Sequence, residues 1–597
     1  MTTRDSNSQG NTNPQTTGAA LLTQLGPLMK SLFLGSLAAL AVGLAGWACA
    51  AEPADAIYIN ANVITMNDAQ PRAEALAVKD GKILGVGSRA DLESTLMGKS
   101  THMIDLAGKT LLPGFLDAHS HYINALSLAG QASLYPPPAG PGKDVPSIVA
   151  ELRKFAEEHN IPKGELIMAY GYDDTVMPDG RLLNRGDLDA AFPDNPVRVD
   201  HISMHGTVLN SLALERFGFD ANTPTPDGGI IVRKPGTNEP WGLIMETAFL
   251  KIFANTPPLT PGQEVDGTRA AQRMYASAGI TTAHEGATHL DQLEIMKRAA
   301  AAGGNTIDLV TYPFMTDVEK ILAVFPVSDW EKYEARVKIQ GIKITIDGSP
   351  QGRTAAFTTP YLTGGPSGQE GWKGQLFASQ EVINQVLKKA YDLGVPVTFH
   401  VNGDAAIDAM LKAHEFAAGD ELTRYRNVTA IHSQFLRKDQ IAKYVRYKIR
   451  PSFFTLHTFY FADAHIANRG REQAMYISPM RDAIDAGLHP TNHTDAPVVP
   501  LDQMLMLWTA VNRISRSGME IGPDQRVTPL EGLKAMTIWV AEQYGEQDIK
   551  GSLEPGKLAD MVVLSDDPLK VDPMKIADIK VLETIKEGTS VYKNAGQ

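Results

Sequence analysis

Cysteine is nearly missing: the 597 residues contain one, Cys49. That excludes an intrachain disulfide framework and a thiolate-rich metal site, so any metal must be held by His, Asp, Glu or a modified Lys. Positive charge is also in short supply. Lys and Arg number 55 against 68 Asp and Glu, a formal net charge of -13, whereas a nucleic-acid binder needs a basic face. No nucleic-acid partner is expected, and a small-molecule partner is. What is present is the balance of a folded globular protein: 43% hydrophobic and 21% charged residues, with 52 Gly and 37 Pro. At ~150 residues per domain the length suggests about four domains, or fewer if one is a large α/β barrel.

Residues 1–28 are rich in Ser, Thr, Asn and Gln and show neither a helical nor a strand period. Met29-Lys30, the apolar run from Leu32 to Gly46 and Ala48-Cys49-Ala50 then follow the pattern of a secretory signal ending in an A-x-A site. The run is shorter than the ~20 residues needed to span a bilayer, and Gly46 lacks the aliphatic side chain of a lipobox. We therefore expect a disordered or untranslated leader plus signal peptide over 1–50, with the signal at about 29–50. Met29 is then the start, the mature chain begins at Ala51, and the location is periplasmic or secreted with no stable membrane insertion after cleavage.

The mature chain opens with alternating β-formers and an Asp80-Gly81 turn, and similar strands return at 561–564 and 579–584. These end segments, 51–108 and 548–597, are expected to pair as a composite β domain. Between them strand-like and amphipathic helical runs alternate, with strands near 110–117, 279–284, 307–314, 337–347, 395–400, 427–432, 447–454 and 488–494. Eight strand-helix units predict an α/β chain built on a (β/α)8 TIM barrel over 109–121 and 279–547. Val382, Ile383, Val386, Leu387 and Ala390 form one apolar stripe, and Ala406, Ile407, Met410 and Leu411 another. Residues 122–278 break the rhythm and are too long for a structureless loop, so we read them as an inserted subdomain covering the barrel mouth.

The sharpest local signal is Pro113-Gly114-Phe115-Leu116-Asp117-Ala118-His119-Ser120-His121. Residues two apart on a strand share a face, so His119 and His121 can grip one metal ion. An H-x-H pair alone is weak, but three later strands also end in potential ligands: His400, His432 and Asp495. Reactive groups of such barrels stand at the C-terminal strand ends. Lys343 points to the interior from its strand, where it is either carbamylated into an anionic oxygen donor or paired with Asp347. Arg353 is read as a substrate-carboxylate binder or a salt-bridge partner. His457, His493 and His284 support the site, donate to an oxyanion, or are structural.

The series PGFLDAHSH, KITIDGSPQGRTA, HVNGDAAI, AIHSQF, NHTDAPV and GSLEPGKLADMVVL resembles the motif series of the amidohydrolase superfamily, in the branch of N-substituted formamide deformylases and YtcJ-like hydrolases. The resemblance covers essentially all of the mature chain. It implies a distorted barrel with a β-sandwich assembled from both chain ends. It also implies His119, His121 and Asp495 on one divalent metal, His400 and His432 on a second, and carbamylated Lys343 bridging them. Zn²⁺ is the first choice, and a single ion follows if Lys343 is not carbamylated. The sequence departs from the pattern at Thr494, where Ser is common, and at Val401-Asn402, which replace an apolar pair. The implied reaction is hydrolysis of non-peptide C-N bonds, with Asp495 as general acid and base. Ester, lactone or phosphoester hydrolysis on the same centre, or a non-catalytic periplasmic binding or regulatory protein, are the alternatives. The resemblance is compatible with a homodimer.

Overall fold

The computed structural model describes residues 52–594 apart from 129, 179–180, 203–205, 227–228, 255–259 and 366–368. The expected leader and signal peptide lie outside the described residues. Eight parallel strands form the barrel: β1 (Phe115–Leu116), β2 (Ile280–Thr288), β3 (Asp308–Pro313), β4 (Val337–Ile339 continued by Ile342–Thr345), β5 (Val397–Val401), β6 (Val428–His432), β7 (Ile449–Phe453) and β8 (Thr491–Asn492). The first half of β4 pairs with β3 and the second half with β5, so the strand joins two five-stranded sheets. The segments leaving β1 and β8 meet through Asp495 N–H to His119 O (3.2 Å) and His121 N–H to Ala496 O (2.8 Å).

The outward face of β4 explains the helical layer. Ile342, Ile344 and Ile346 are buried against Ile383, Leu387 and Ala390 of helix Gln380–Leu393 and against Ile407 and Met410 of helix Asp404–Ala418. Val382, expected in the first stripe, is instead 45% exposed. The run read as one strand, 110–117, is two. Thr110–Pro113 pairs antiparallel with Met561–Leu564, and only Phe115–Leu116 enters the barrel. Gly114 is the step between them, because a Cβ there would lie 2.4 Å from Thr281 Cγ2.

Both chain ends build the β-sandwich. Ala56–Ile59, Ala75–Lys79, Lys82–Gly87 and His102–Asp105 form one sheet, and Asn62–Ile64, Arg72–Ala73 and Thr110–Pro113 join three C-terminal strands in the other. Tyr58, Val63, Leu76, Leu111, Met561 and Val563 fill the space between them. The long interruption has a six-stranded sheet of its own, from Ala132–Ser133 to Pro240–Glu246, with its own apolar core. The helices flanking it, Tyr122–Leu128 and Pro261–Ser277, pack with the barrel core, so the independent part is narrower than 122–278. Among the described residues no helix is long and apolar enough to cross a membrane.

Candidate metal centre

His119 and His121 converge, although not as strand neighbours: both lie beyond the end of β1. A turn pins them instead. Asp117 accepts the His119 N–H (3.2 Å) and the Ser120 hydroxyl, while Ser120 Oγ also reaches Tyr275 OH (2.6 Å) and His284 O (3.0 Å). Gly286 leaves room for the ring, since a Cβ there would lie 2.2 Å from His119 Cε1. Asp495, on the segment after β8, places Oδ1 3.3 Å from His119 Nε2 and 3.5 Å from His121 Nε2. That carboxylate oxygen is buried and has no hydrogen-bond partner. Donor atoms around a tetrahedral zinc stand roughly 3.3 Å apart, so the three groups fit a cation.

Lys343 is buried and brings Nζ to 3.2 Å from His119 Nε2. The alternative pairing with Asp347 does not occur. Asp347 turns away and accepts the N–H groups of Ala356, Asn402 and Gly403 at 2.8–2.9 Å, bracing the start of helix Asp404–Ala418. Burial lowers the Lys343 amine to about 8, against the pull of Asp495 and Glu285. A neutral amine is therefore accessible near physiological pH, as carbamylation requires.

His400 and His432, at the ends of β5 and β6, form a second pair with Nδ1 and Nε2 3.0 Å apart. Each ring is held from behind. Asn402 Nδ2 lies 3.0 Å from His400 Nε2 and donates to Gly348 O (3.0 Å). On the other side, His432 Nδ1 meets His493 Nε2 (3.1 Å), whose Nδ1 meets Ser452 Oγ (3.0 Å). The imidazoles of His119 and His432 are 5.6 Å apart, so the two donor sets are neighbours.

Electrostatics suits a cation. Burial, reinforced by Lys343, holds His119 well below its usual range and takes His400 down to about 4. Burial and then His400 depress His432. For Asp495 burial acts upward but is outweighed by His432, His119 and His121, so the carboxylate stays ionised. His119, His400 and His432 are thus held neutral beside one carboxylate, whereas for His121 burial acts downward but is outweighed by Asp495 and Glu285, which draw its pKa up.

The remaining expectations divide. His493 supports His432. His457 is buried, with Nδ1 2.9 Å from His465 Nε2, and His284 contacts Ala118 O (2.8 Å) and Tyr544 OH (3.0 Å). Arg353 stands on the loop after β4 and its carbonyl accepts Trp372 Nε1–H (2.7 Å), but no hydrogen bond or ion pair joins its guanidinium to the cluster. Ser452 and Glu285 were not legible as site residues. Asn402 had a signal, being a polar departure two residues after His400.

The fold and the chain have known counterparts. A Pyrococcus horikoshii OT3 structure described as an uncharacterized metal-dependent hydrolase superposes with a TM-score of 0.68 at 23% identity, covering 87% of this chain and 99% of its own. The amidohydrolase YtcJ of Bacillus subtilis (strain 168) is 29% identical, covering 90% of this chain and 100% of its own. The N-substituted formamide deformylase of Arthrobacter pascens is 27% identical, over 91% and 99%. The sequence profile of the Amidohydrolase family matches residues 102–592, and the chain belongs to that family.

Proposed function

We propose that the protein is a metal-dependent hydrolase of non-peptide C-N bonds of the amide type, N-acyl or N-formyl. The observation that carries this reading is the ionised Asp495 oxygen buried between the His119 and His121 imidazoles, with a facing histidine pair beside it. Similarity over nearly the full chain to a protein named as an N-substituted formamide deformylase supports the choice of bond. The nitrogen and oxygen donors suit Zn²⁺ first. Bound there, a divalent cation supplies Lewis acidity, bringing the pKa of water toward neutrality and polarising a carbonyl.

This chain's own groups do the rest. Asp495 takes the proton of the attacking water and passes it to the leaving nitrogen, the work of a positioned general base and acid. His119 and His121 fix its carboxylate, and His400 and His432 offer a second position. Lys343, if carbamylated, would add an anionic oxygen donor beside His119, and the chain would then hold two ions, against one with a free amine. Metal analysis should return one to two equivalents. Asp495→Ala should lower turnover of an N-formyl amine by roughly 10²–10⁴ and reduce the bound metal. A metal-free protein with undiminished activity would overturn the reading.

A further inference from the structure

We infer that a cavity between the inserted subdomain and the barrel, beside His121, receives an uncharged, largely apolar substituent of the substrate. This rests on the hydrolytic reading above and names the substrate class for it: amides with such a group on one side of the scissile bond. The cavity has a volume of about 260 Å³. A space of roughly 150 Å³ takes a benzene ring, so a six-carbon chain or a phenylethyl group fits.

Four stretches of chain build its walls, one of them the end of helix Pro261–Ser277 through Met274 and Tyr275. Ala125 comes from the helix that begins directly after His121, Ala132 and Tyr170 come from the inserted sheet, and Val499 and Leu501 come from the segment after Asp495. His121 itself and Ala496, the neighbour of Asp495, also line the cavity, so it adjoins the donor atoms. Among the described residues no Asp, Glu, Lys or Arg lines it, and Arg353 takes no part. The tyrosine hydroxyls at the wall are already committed: Tyr135 OH donates to Pro497 O (2.7 Å) and Tyr170 OH to Ile202 O (2.8 Å). A charged substituent would lose its hydration here and find no counter-charge. An apolar one gains burial, with Gln131, whose buried Oε1 has no partner, and Ser133 and Ser277 as the polar exceptions on the walls.

The test uses the zinc-loaded protein with two homologous series, N-formyl derivatives of methyl-, butyl- and hexylamine and N-methylamides of acetic, butyric and hexanoic acid. Each series also has a member ending in a carboxylate. In one series kcat/KM should rise by up to about fourfold per methylene, and the carboxylate-ended member should fall at least 100-fold below its apolar counterpart. Val499→Phe and Ala132→Leu, from different segments of the wall, should each cut the preference for the longest over the shortest member at least tenfold. Circular dichroism identifies a variant that has not folded, and the other then decides. Indifference to chain length, preference for the carboxylate, or a wild-type length preference in both folded variants would overturn the inference. If no amide is hydrolysed, the hydrolytic reading fails by itself and calorimetry with hexanamide decides the subsite. Binding that weakens at least tenfold in Val499→Phe supports it, and absence of binding overturns it.

Discussion

Two of the candidate ligands occupy backbone that L-residues avoid: His432 at φ +69° and Asp495 at φ +55°. Each costs ~1–2 kcal/mol, and such strain persists where surrounding contacts over-determine it. Ser433 N–H to Val401 O (2.9 Å) and His121 N–H to Ala496 O (2.8 Å) are two of those contacts. The side chains are held just as firmly. His493 stands between Ser452 and His432 and directs the far nitrogen of His432 toward His400. Removing such a support typically costs 10–100-fold in metal affinity. We expect His493→Ala to weaken zinc binding by about that factor in a chelator competition, with the far-ultraviolet spectrum unchanged and His493→Gln recovering part of the loss. Wild-type affinity in the alanine variant would show that His432 needs no support.

At the scale of elements, the inserted sheet is fastened to the catalytic segment at one carbonyl. Tyr135 OH and Tyr170 OH lie 2.7 and 3.3 Å from Pro497 O, two residues beyond Asp495. Each hydrogen bond contributes ~1 kcal/mol net. The double variant Tyr135→Phe, Tyr170→Phe should therefore raise KM for the preferred amide by roughly tenfold with a smaller change in kcat. A KM equal to wild type would show that the subdomain is held elsewhere. None of this was legible in the sequence, where the aromatic residues of 122–278 look like any core. At β5 and β6 an apolar strand closes on His400 and His432, so period and position together single out those side chains, whereas Asp495 stands three residues beyond the two-residue polar strand β8. His119 and His121 converge as their spacing suggests, but through a turn held by Asp117 and Ser120 rather than through strand alternation. The division of 110–117 at Gly114 was hidden because both halves are equally apolar, and only the approach of Thr281 separates them. Lys343 pointed inward as its alternation required, but Asp347 was free to serve the following helix, which alternation does not report.

At the scale of the whole molecule, buried charge joins the barrel to the C-terminal part of the sandwich. Asp308, at the start of β3, is 2.6 Å from Lys550 Nζ, 2.8 Å from Lys586 Nζ and 2.9 Å from Arg336. Lys586 also meets Asp560 (2.8 Å), and Lys550 meets Glu546 (3.1 Å). Asp308→Asn would leave two buried ammonium groups without their shared anion, a loss of ~3–5 kcal/mol, visible as a lower denaturation midpoint. Asp308→Asn with Lys586→Met should recover part of it, and an unchanged midpoint in the single variant would make the cluster irrelevant to stability. Acid sensitivity has a different origin. His465 is fully buried, its Nδ1 has no partner, and burial takes it down to about 3. In the unfolded chain it titrates near ~6.5, so below that pH the unfolded state binds a proton that the folded state refuses, and stability falls as pH falls. The loss spans the window from about 6.5 down to about 3 and is absent above it. From pH 6.5 to 4.5 this one residue contributes about 2 kcal/mol of destabilisation. Urea denaturation at the two pH values should show that difference shrinking by about this amount in His465→Gln, while a variant as acid-sensitive as wild type would assign the effect to the other buried imidazoles.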